Sequence, residues 1–355
     1  MPSSDNHIIF VLNPGSTSTK LAVFEGDREM KKEVLRHAPG SGNGLRRVWD
    51  DYGERLATLQ SWFAGAAVRP AAVAAIGGLL RPVESGTYHV NNRMVEDARK
   101  NLQGEHASNL GCALAYDLAR EYGCSAFIVD PVSTDELEPL ARYSGHPSIE
   151  RKSLSHALNI HAAARRAARE LGRAYHSSSF IVGHLGGGIS VAPVRNGKIV
   201  DVNDASSDGP FSPERTGGLP LQAVITLAFS GQATEKSMRA MVMGKGGLVA
   251  YLGTKSAEEI EAKILAGNSK AAEVLEAMAY QIAKEIGAMA AVLSGSLDAV
   301  VLTGGLASST MLTGWITDRV KFLGRVLVYP GEHELLALAQ GASRVLTGEE
   351  QAKEY

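Results

Sequence analysis

The chain has 355 residues, of which 45% are apolar and 21% charged, with a formal net charge of −2. That length accommodates two ordinary domains, and near-neutrality argues against the basic stripe of a nucleic-acid or anionic-membrane binder. Its two cysteines, Cys112 and Cys124, form neither a disulfide framework nor a zinc site, which points to a reducing cytoplasm.

The polar opening MPSSDNH runs straight into an apolar strand pattern, which argues against a signal peptide. Residues 8–27, IIFVLNPGSTSTKLAVFEGD, read as a hairpin of two strands. A turn that only reversed the chain would need two residues. This one carries Asn13, Gly15, Ser16, Ser18 and Lys20, a set that can turn amides, hydroxyls and an ammonium toward phosphate oxygens. Ser, Thr, Asn and Gly are also ordinary turn formers, and no helix follows Lys20, so the Walker pattern does not apply.

An amphipathic helix is predicted at 52–64 and a buried strand at 72–76, ending in Gly77-Gly78. Helices at 91–100 and 108–122 precede a second buried strand at 126–130, in the alternation of an α/β domain. Asp130 ends that strand, where a carboxylate must meet a cation, a metal or a cleft. A long helix is predicted from Ser153 to a C-cap at Gly172. His106, His156 and His161 fall on helical patterns, where a structural histidine is the commoner outcome.

Residues 180–202, FIVGHLGGGISVAPVRNGKIVDV, repeat the plan of the opening hairpin. His184 and Gly186-Gly187-Gly188 stand where the first turn stood, and the repeat indicates a duplicated domain with a cleft between the copies. Arg215 lies in the Pro- and Gly-rich loop DGPFSPERTGG, where an arginine is usually solvated, although one presented by a rigid loop beside a phosphate cradle can clamp a transferring phosphoryl group. Helices at 221–229, 257–266 and 271–293 follow. A buried strand at 297–302 then runs into Thr303-Gly304-Gly305, a close-approach turn suited to a nucleoside. A short strand at 326–329 and a helix at 334–346 complete the pattern. Glu334 opens that helix, where an acid complements the dipole. The most apolar window, GAMAAVLSGSLDAVVLTGG, is broken by serines, glycines and Asp298 and does not span a membrane.

These motifs, together with GTYHVN, QGEHASNLG, IVDPVSTDEL, RKSLSHALN, GKGG and GEHELLALAQGASRVL, resemble nearly end to end the acetate kinase/butyrate kinase family of the actin–Hsp70–sugar kinase superfamily. The resemblance is strongest to its butyrate kinase branch. It implies an α/β fold of two duplicated actin/Hsp70/hexokinase-like (ribonuclease H-like) domains flanking a nucleotide cleft. The expected lobes are 1–133 with 335–355, and 134–334. It further implies that Asn13, Ser16, Ser18 and Lys20 form the first phosphate loop, His184 and Gly186 to Gly188 the second, and Gly304-Gly305 the adenosine loop. Arg215 would stabilise the transferring phosphoryl with His184 and His156, His106 would belong to the acyl/phosphoryl site, and Asp130 and Glu334 would serve magnesium.

The implied enzyme is a cytoplasmic homo-oligomer, a dimer or larger. It would transfer the γ-phosphoryl of MgATP in line to a short-chain carboxylate, butyrate giving butyryl phosphate. Isobutyrate, acetate and propionate are alternative acceptors, and a sugar kinase or a non-catalytic nucleotide-gated module are the rival readings. The chain departs from the resembled pattern at Ile76, where a basic residue usually precedes the glycine pair. Arg81, just beyond, is the alternative cation.

Overall fold

In the computed structural model, residues 7–37 and 47–355 are described; most of the polar opening read above, residues 1–6, lies outside them. The chain forms two compact units, Met1–Asp135 with His333–Tyr355, and Glu136–Glu332.

The first unit is built on a six-stranded sheet. Strands β1 (Ile8–Pro14), β2 (Ser18–Glu25) and β3 (Arg28–Arg36) form an antiparallel meander. After helix α1 (Tyr52–Ala64), strand β4 (Ala72–Ile76) pairs parallel to β1. A short edge strand β5 (Thr87–His89), helices α2 (Asn92–Lys100) and α3 (Leu110–Tyr122), and strand β6 (Ser125–Val129) follow. The sheet order is β3-β2-β1-β4-β6-β5. Phe10 of β1 stacks on Phe63 of α1 with centroids 4.3 Å apart, anchoring α1 to the sheet. Such an aromatic pair adds to the gain from burying both rings.

The second unit opens with helix α4 (Ala157–Glu170), followed by strands β7 (Ser179–Leu185), β8 (Ile189–Arg195) and β9 (Lys198–Ile199). Helices α5 (Leu221–Ala228), α6 (Glu235–Val242), α7 (Gly247–Leu252), α8 (Ala257–Leu265) and α9 (Ser269–Val292) come next. Strand β10 (Ala299–Gly304), helix α10 (Thr310–Val320) and strand β11 (Val326–Pro330) close this unit; helix α11 (Glu334–Leu346) returns to the first. The sheet order is β11-β10-β7-β8-β9. The 24-residue α9 buries Val274, Leu275, Met278, Ile282, Ile286 and Met289 on one stripe, the three-to-four spacing of an amphipathic helix. Its start is capped by Asn268 Oδ1, which accepts the Ala271 N–H at 3.0 Å.

The two sheets share one plan. An antiparallel meander leads each, and its first strand is joined by parallel strands, β4 and β6 in one unit and β10 and β11 in the other. The duplication legible in the two hairpins therefore extends to whole sheets.

Several elements depart from the sequence pattern. β3 carries REMKKEVLR with no buried residue; it is an edge strand protected by charge, and it lacks the apolar alternation that would announce it. The short β5 and helices α7 and α10 also carry no strong periodic signal, whereas α6 sets Met238, Met241 and Val242 at i, i+3 and i+4. Helix α4 begins at Ala157, not at Ser153. Ser153 and Ser155 are buried in non-helical chain, and His156 at the N-cap has φ −78° and ψ 55°. Asp130 lies one residue beyond β6 at φ +38°. Among the described residues, no helix is long and apolar enough to cross a membrane.

Helix α3 packs on β4 through Gly111, where an added Cβ would stand 2.1 Å from the Ile76 carbonyl oxygen. Backbone cannot yield there as a flexible side chain could. Gly111→Ala is expected to destabilise the first unit by about 1–3 kcal/mol, the usual cost of overpacking. Thermal unfolding should show a lowered first transition, and an unchanged melting profile would contradict this packing.

Candidate active site

In the second unit the predicted residues converge. β7 carries His184 one residue before its end, beside Thr303 of β10 and opposite Ser190 of β8. His156, at the head of α4, stacks its ring on His184 with centroids 4.2 Å apart and planes at 29°. His156 Nδ1 is held 3.0 Å from the Ser190 hydroxyl. The Nε2 of His184 faces the turn, 3.2 Å from where a Gly186 Cβ would sit. Its Nδ1 is buried without a hydrogen-bond partner among the described residues.

Arg215 lies across the same turn. Its Nη1 donates to the Ala205 carbonyl at 3.0 Å, and a Cβ on Gly188 would lie 2.4 Å from that nitrogen. A guanidinium in that position leaves no room for a side chain at Gly188. Ser212 joins the two loops, donating to the Gly187 carbonyl at 2.6 Å and accepting the Arg215 N–H at 3.2 Å. Gly304 is required for a similar reason. It has φ +98°, and a Cβ there would stand 2.4 Å from the Leu185 carbonyl oxygen, so the β10 end rests on the β7 end. Gly305 then opens a short 3-10 turn, Gly305–Ser308.

Burial determines the protonation of this cluster. It lowers His184 from the ordinary 6.5 to about 4. His156 is held well below the ordinary value, first by burial and then by His184 and Arg215, with Glu332 opposing. Burial also lowers Arg215, against Glu214 and Asp204, but a guanidinium stays charged at neutral pH. Glu214 is paired with Lys255 at 3.0 Å. Among the described residues, neither imidazole has a carboxylate as hydrogen-bond partner. The site thus presents two neutral rings and a fixed cation, with no carboxylate bonded to either ring to serve as a proton-accepting relay.

In the first unit, Asn13 and Lys20 are cross-strand neighbours in the β1–β2 hairpin, and both turn toward Glu334 at the start of α11. Asn13 Nδ2 donates to Glu334 Oε2 at 2.6 Å, and Lys20 Nζ lies 3.6 Å from the same oxygen. Ser16 is exposed and Ser18 half-buried on the turn. Asp130 is buried, and its Oδ1 accepts the Gly86 N–H at 2.6 Å. His106 is exposed and caps the 3-10 turn Ala107–Asn109, its Nδ1 accepting the Ser108 N–H at 3.2 Å. His161 is a structural histidine, its Nδ1 2.6 Å from the Tyr175 hydroxyl. Arg81 Nε lies 2.6 Å from Asp97, so its charge is engaged there.

Three contributors escaped the sequence reading. Ser190 and Ser212 lie inside quoted motifs, but nothing local shows that one meets a histidine and the other a glycine carbonyl. Arg55 is buried on α1 with Leu59 and Phe63 and contacts the hairpin turn. An arginine in register with an apolar stripe, at i, i+4 and i+8, was the available signal.

With His184 neutral when folded but titrating near 6.5 when unfolded, the unfolded chain binds more protons below that pH. Stability is therefore complete above about pH 6.5 and falls toward pH 4, by roughly 1 kcal/mol per pH unit for this ring. Denaturant unfolding between pH 7 and pH 4.5 should show a smaller acid loss in His184→Gln than in the parent. Identical slopes would refute the neutral, buried ring.

A family model described as the Acetokinase family matches residues 149–352. A probable butyrate kinase of Listeria monocytogenes serotype 4a is 47% identical, covering 98% of this chain and 99% of that protein. Butyrate kinase 2 of Clostridium acetobutylicum is 45% identical over the same shares. Among solved structures, Porphyromonas gingivalis acetate kinase matches at 18% identity with a TM-score of 0.76, covering 97% of this chain and 100% of that one. A propionate kinase from Francisella tularensis matches at 19% and 0.76, covering 94% and 98%; both likenesses concern the fold. A family model spanning more than half of the chain, a duplicated sheet plan and near-complete alignment to these relatives lead to one assignment: the chain belongs to the Acetokinase family.

Proposed function

We propose that the protein is a short-chain carboxylate kinase that transfers the γ-phosphoryl of MgATP to butyrate, giving butyryl phosphate and MgADP. The observation that carries this reading is the composition of the second-unit cluster: His156, His184 and Arg215 around a glycine turn, without a carboxylate hydrogen-bonded to either imidazole. A hydroxyl acceptor needs a base to remove its proton. A carboxylic acid has a pKa of about 4–5 and arrives as the anion at neutral pH. The task is then to bring two anions together, which favours fixed cations and neutral donors over acids.

In this reading a carboxylate oxygen attacks the γ-phosphorus while the bond to the β–γ bridging oxygen breaks, and the electron pair leaves with ADP. No proton is transferred. Arg215 bears on the equatorial phosphoryl oxygens as their charge grows, and the imidazoles, neutral by burial, donate N–H bonds to the same group. His106 is assigned to the acyl/phosphoryl site. Gly186, Gly187 and Gly188 let the phosphates approach the backbone, Gly304 and Gly305 do so for the adenosine, and Asn13, Ser16, Ser18 and Lys20 bind phosphate in the first unit.

Magnesium typically uses one or two protein carboxylates and completes its shell with phosphates and water. Among the described residues, no three His, Cys, Asp or Glu cluster as a dedicated cage; Asp130, whose Oδ1 accepts the Gly86 N–H, and Glu334, whose Oε2 accepts from Asn13, are the carboxylates proposed to serve the ion. The ion's chemical contribution is to neutralise the β- and γ-phosphates.

The proposed setting is the cytoplasm, consistent with two free thiols, Cys112 buried and Cys124 half-buried. The proposed assembly is a homo-oligomer joined through α5. That helix, LQAVITLA, carries no charge and buries no residue within its unit, with Leu221 75% and Ile225 51% exposed and Phe229 just beyond it 87% exposed. Two copies about a twofold axis would oppose no like charges there. Phe229→Glu should lower the mass measured by light scattering, and an unchanged mass would refute this interface.

With hydroxylamine as a trap, MgATP and butyrate should yield hydroxamate, which a sugar phosphate cannot give. Turnover across C2 to C5 acids should peak at butyrate, although one methylene is worth only about 1–3 kcal/mol in an apolar pocket. Arg215→Ala should reduce kcat on the order of 10³-fold while MgATP still binds. Near-normal turnover in that variant would remove Arg215 from the chemistry.

A further inference from the structure

The β1–β2 turn is gripped from behind by a buried cation. Arg55 is 4% exposed and occupies the apolar stripe of α1 ahead of Leu59 and Phe63. Its Nη1 donates to the Gly15 carbonyl at 2.8 Å and, at 3.4 Å, to Thr19 Oγ1. Its Nη2 donates to the Ser16 carbonyl at 3.2 Å. Asp51 stands 3.8 Å away, too far for the guanidinium's chief partner. A buried guanidinium is costly unless its donors are met, and the turn meets Nη1 and Nη2.

Peptide geometry gives this grip a consequence on the opposite side. In a trans peptide the C=O of one residue and the N–H of the next point in opposite directions, and the described chain has no cis bond. Drawing the Gly15 and Ser16 carbonyls inward to Arg55 therefore turns the Ser16 and Thr17 amides outward. Both residues are exposed, and among the described residues neither amide has a backbone acceptor. The Gly15 amide, by contrast, is taken by the Ser18 carbonyl at 2.7 Å. Two adjacent outward amides form an anion-binding nest.

We propose that Arg55 is a positioning residue which, without touching substrate, holds the amides of Ser16 and Thr17 as a receptor for a nucleotide phosphate. The proposal deepens the kinase reading and rests on it for the identity of the anion. Asn13 and Lys20, named from the sequence, supply side chains to this hairpin, while Arg55 sets the direction of its backbone. Arginine suits the role because its planar fork spans two carbonyls, whereas lysine can satisfy one at a time.

The test compares the parent with Arg55→Met and Arg55→Lys. Arg55→Met should raise KM for MgATP at least about 10-fold and leave KM for butyrate within about twofold, and Arg55→Lys should recover part of the loss. Calorimetric titration with MgADP should show the same order of affinities without relying on turnover. Unchanged MgATP and MgADP parameters in a folded Arg55→Met overturn the proposal, as does an equal rise in both KM values, which marks general damage. Should Arg55→Met fail to fold, Arg55→Lys decides, and parental MgADP affinity in that variant overturns the assignment. A parent that binds MgADP but forms no acyl phosphate refutes the carboxylate-kinase reading and leaves Arg55 to be judged by the titrations. A parent that binds no MgADP refutes both.

Discussion

The stacking of His156 on His184 beneath Arg215 is the interaction on which the functional reading depends. Two imidazoles 4.2 Å apart beside a guanidinium disfavour protonation of either ring, because each buried positive charge would be desolvated and repelled by the arginine and by its neighbour. Burial enforces the neutral state, and it has a chemical corollary. Neutral rings can offer N–H donors to an anion, and among the described residues neither ring has a carboxylate as hydrogen-bond partner.

Fold and site are linked through backbone approach. β7 delivers His184 because β10 can lie against its end, which Gly304 permits, and Arg215 occupies the space that a Gly188 side chain would take. Ser212 then ties the loop carrying Arg215 to the glycine turn. These are contacts of backbone with backbone or of side chain with backbone, so the glycines serve as geometric requirements for the cluster and not as sources of flexibility.

The two hairpins repeat one topology yet hold their turns by different means. In the second unit the turn is fastened by a serine and covered by an arginine from a neighbouring loop. In the first, a buried arginine on the following helix takes the carbonyls, while Asn13 and Lys20 meet Glu334. The two units share a strand framework and differ in the partners that hold the turn.

Much of this was legible in the sequence because it depends on local pattern. Alternating apolar strands and amphipathic helices announced an α/β chain, the two glycine- and hydroxyl-bearing hairpins announced a duplication, and His184, Arg215 and the glycines stood out by their context. The charged edge strand β3 was invisible, since a strand with no buried face has no alternation to read. The start of α4 was misplaced because Ser153 to His156 continue a helix-like spelling, while His156 is drawn to Ser190 of β8 and the chain before it is buried in non-helical form. What the sequence alone determined was therefore the periodicity, the repeat and the chemical inventory, all properties of neighbours along the chain. Which histidine stacks on which, that Arg81 pairs with Asp97, and that Arg55 turns inward to two carbonyls were decided only in the tertiary structure. Those contacts join residues far apart along the chain, and their energies arise from burial that no local pattern encodes.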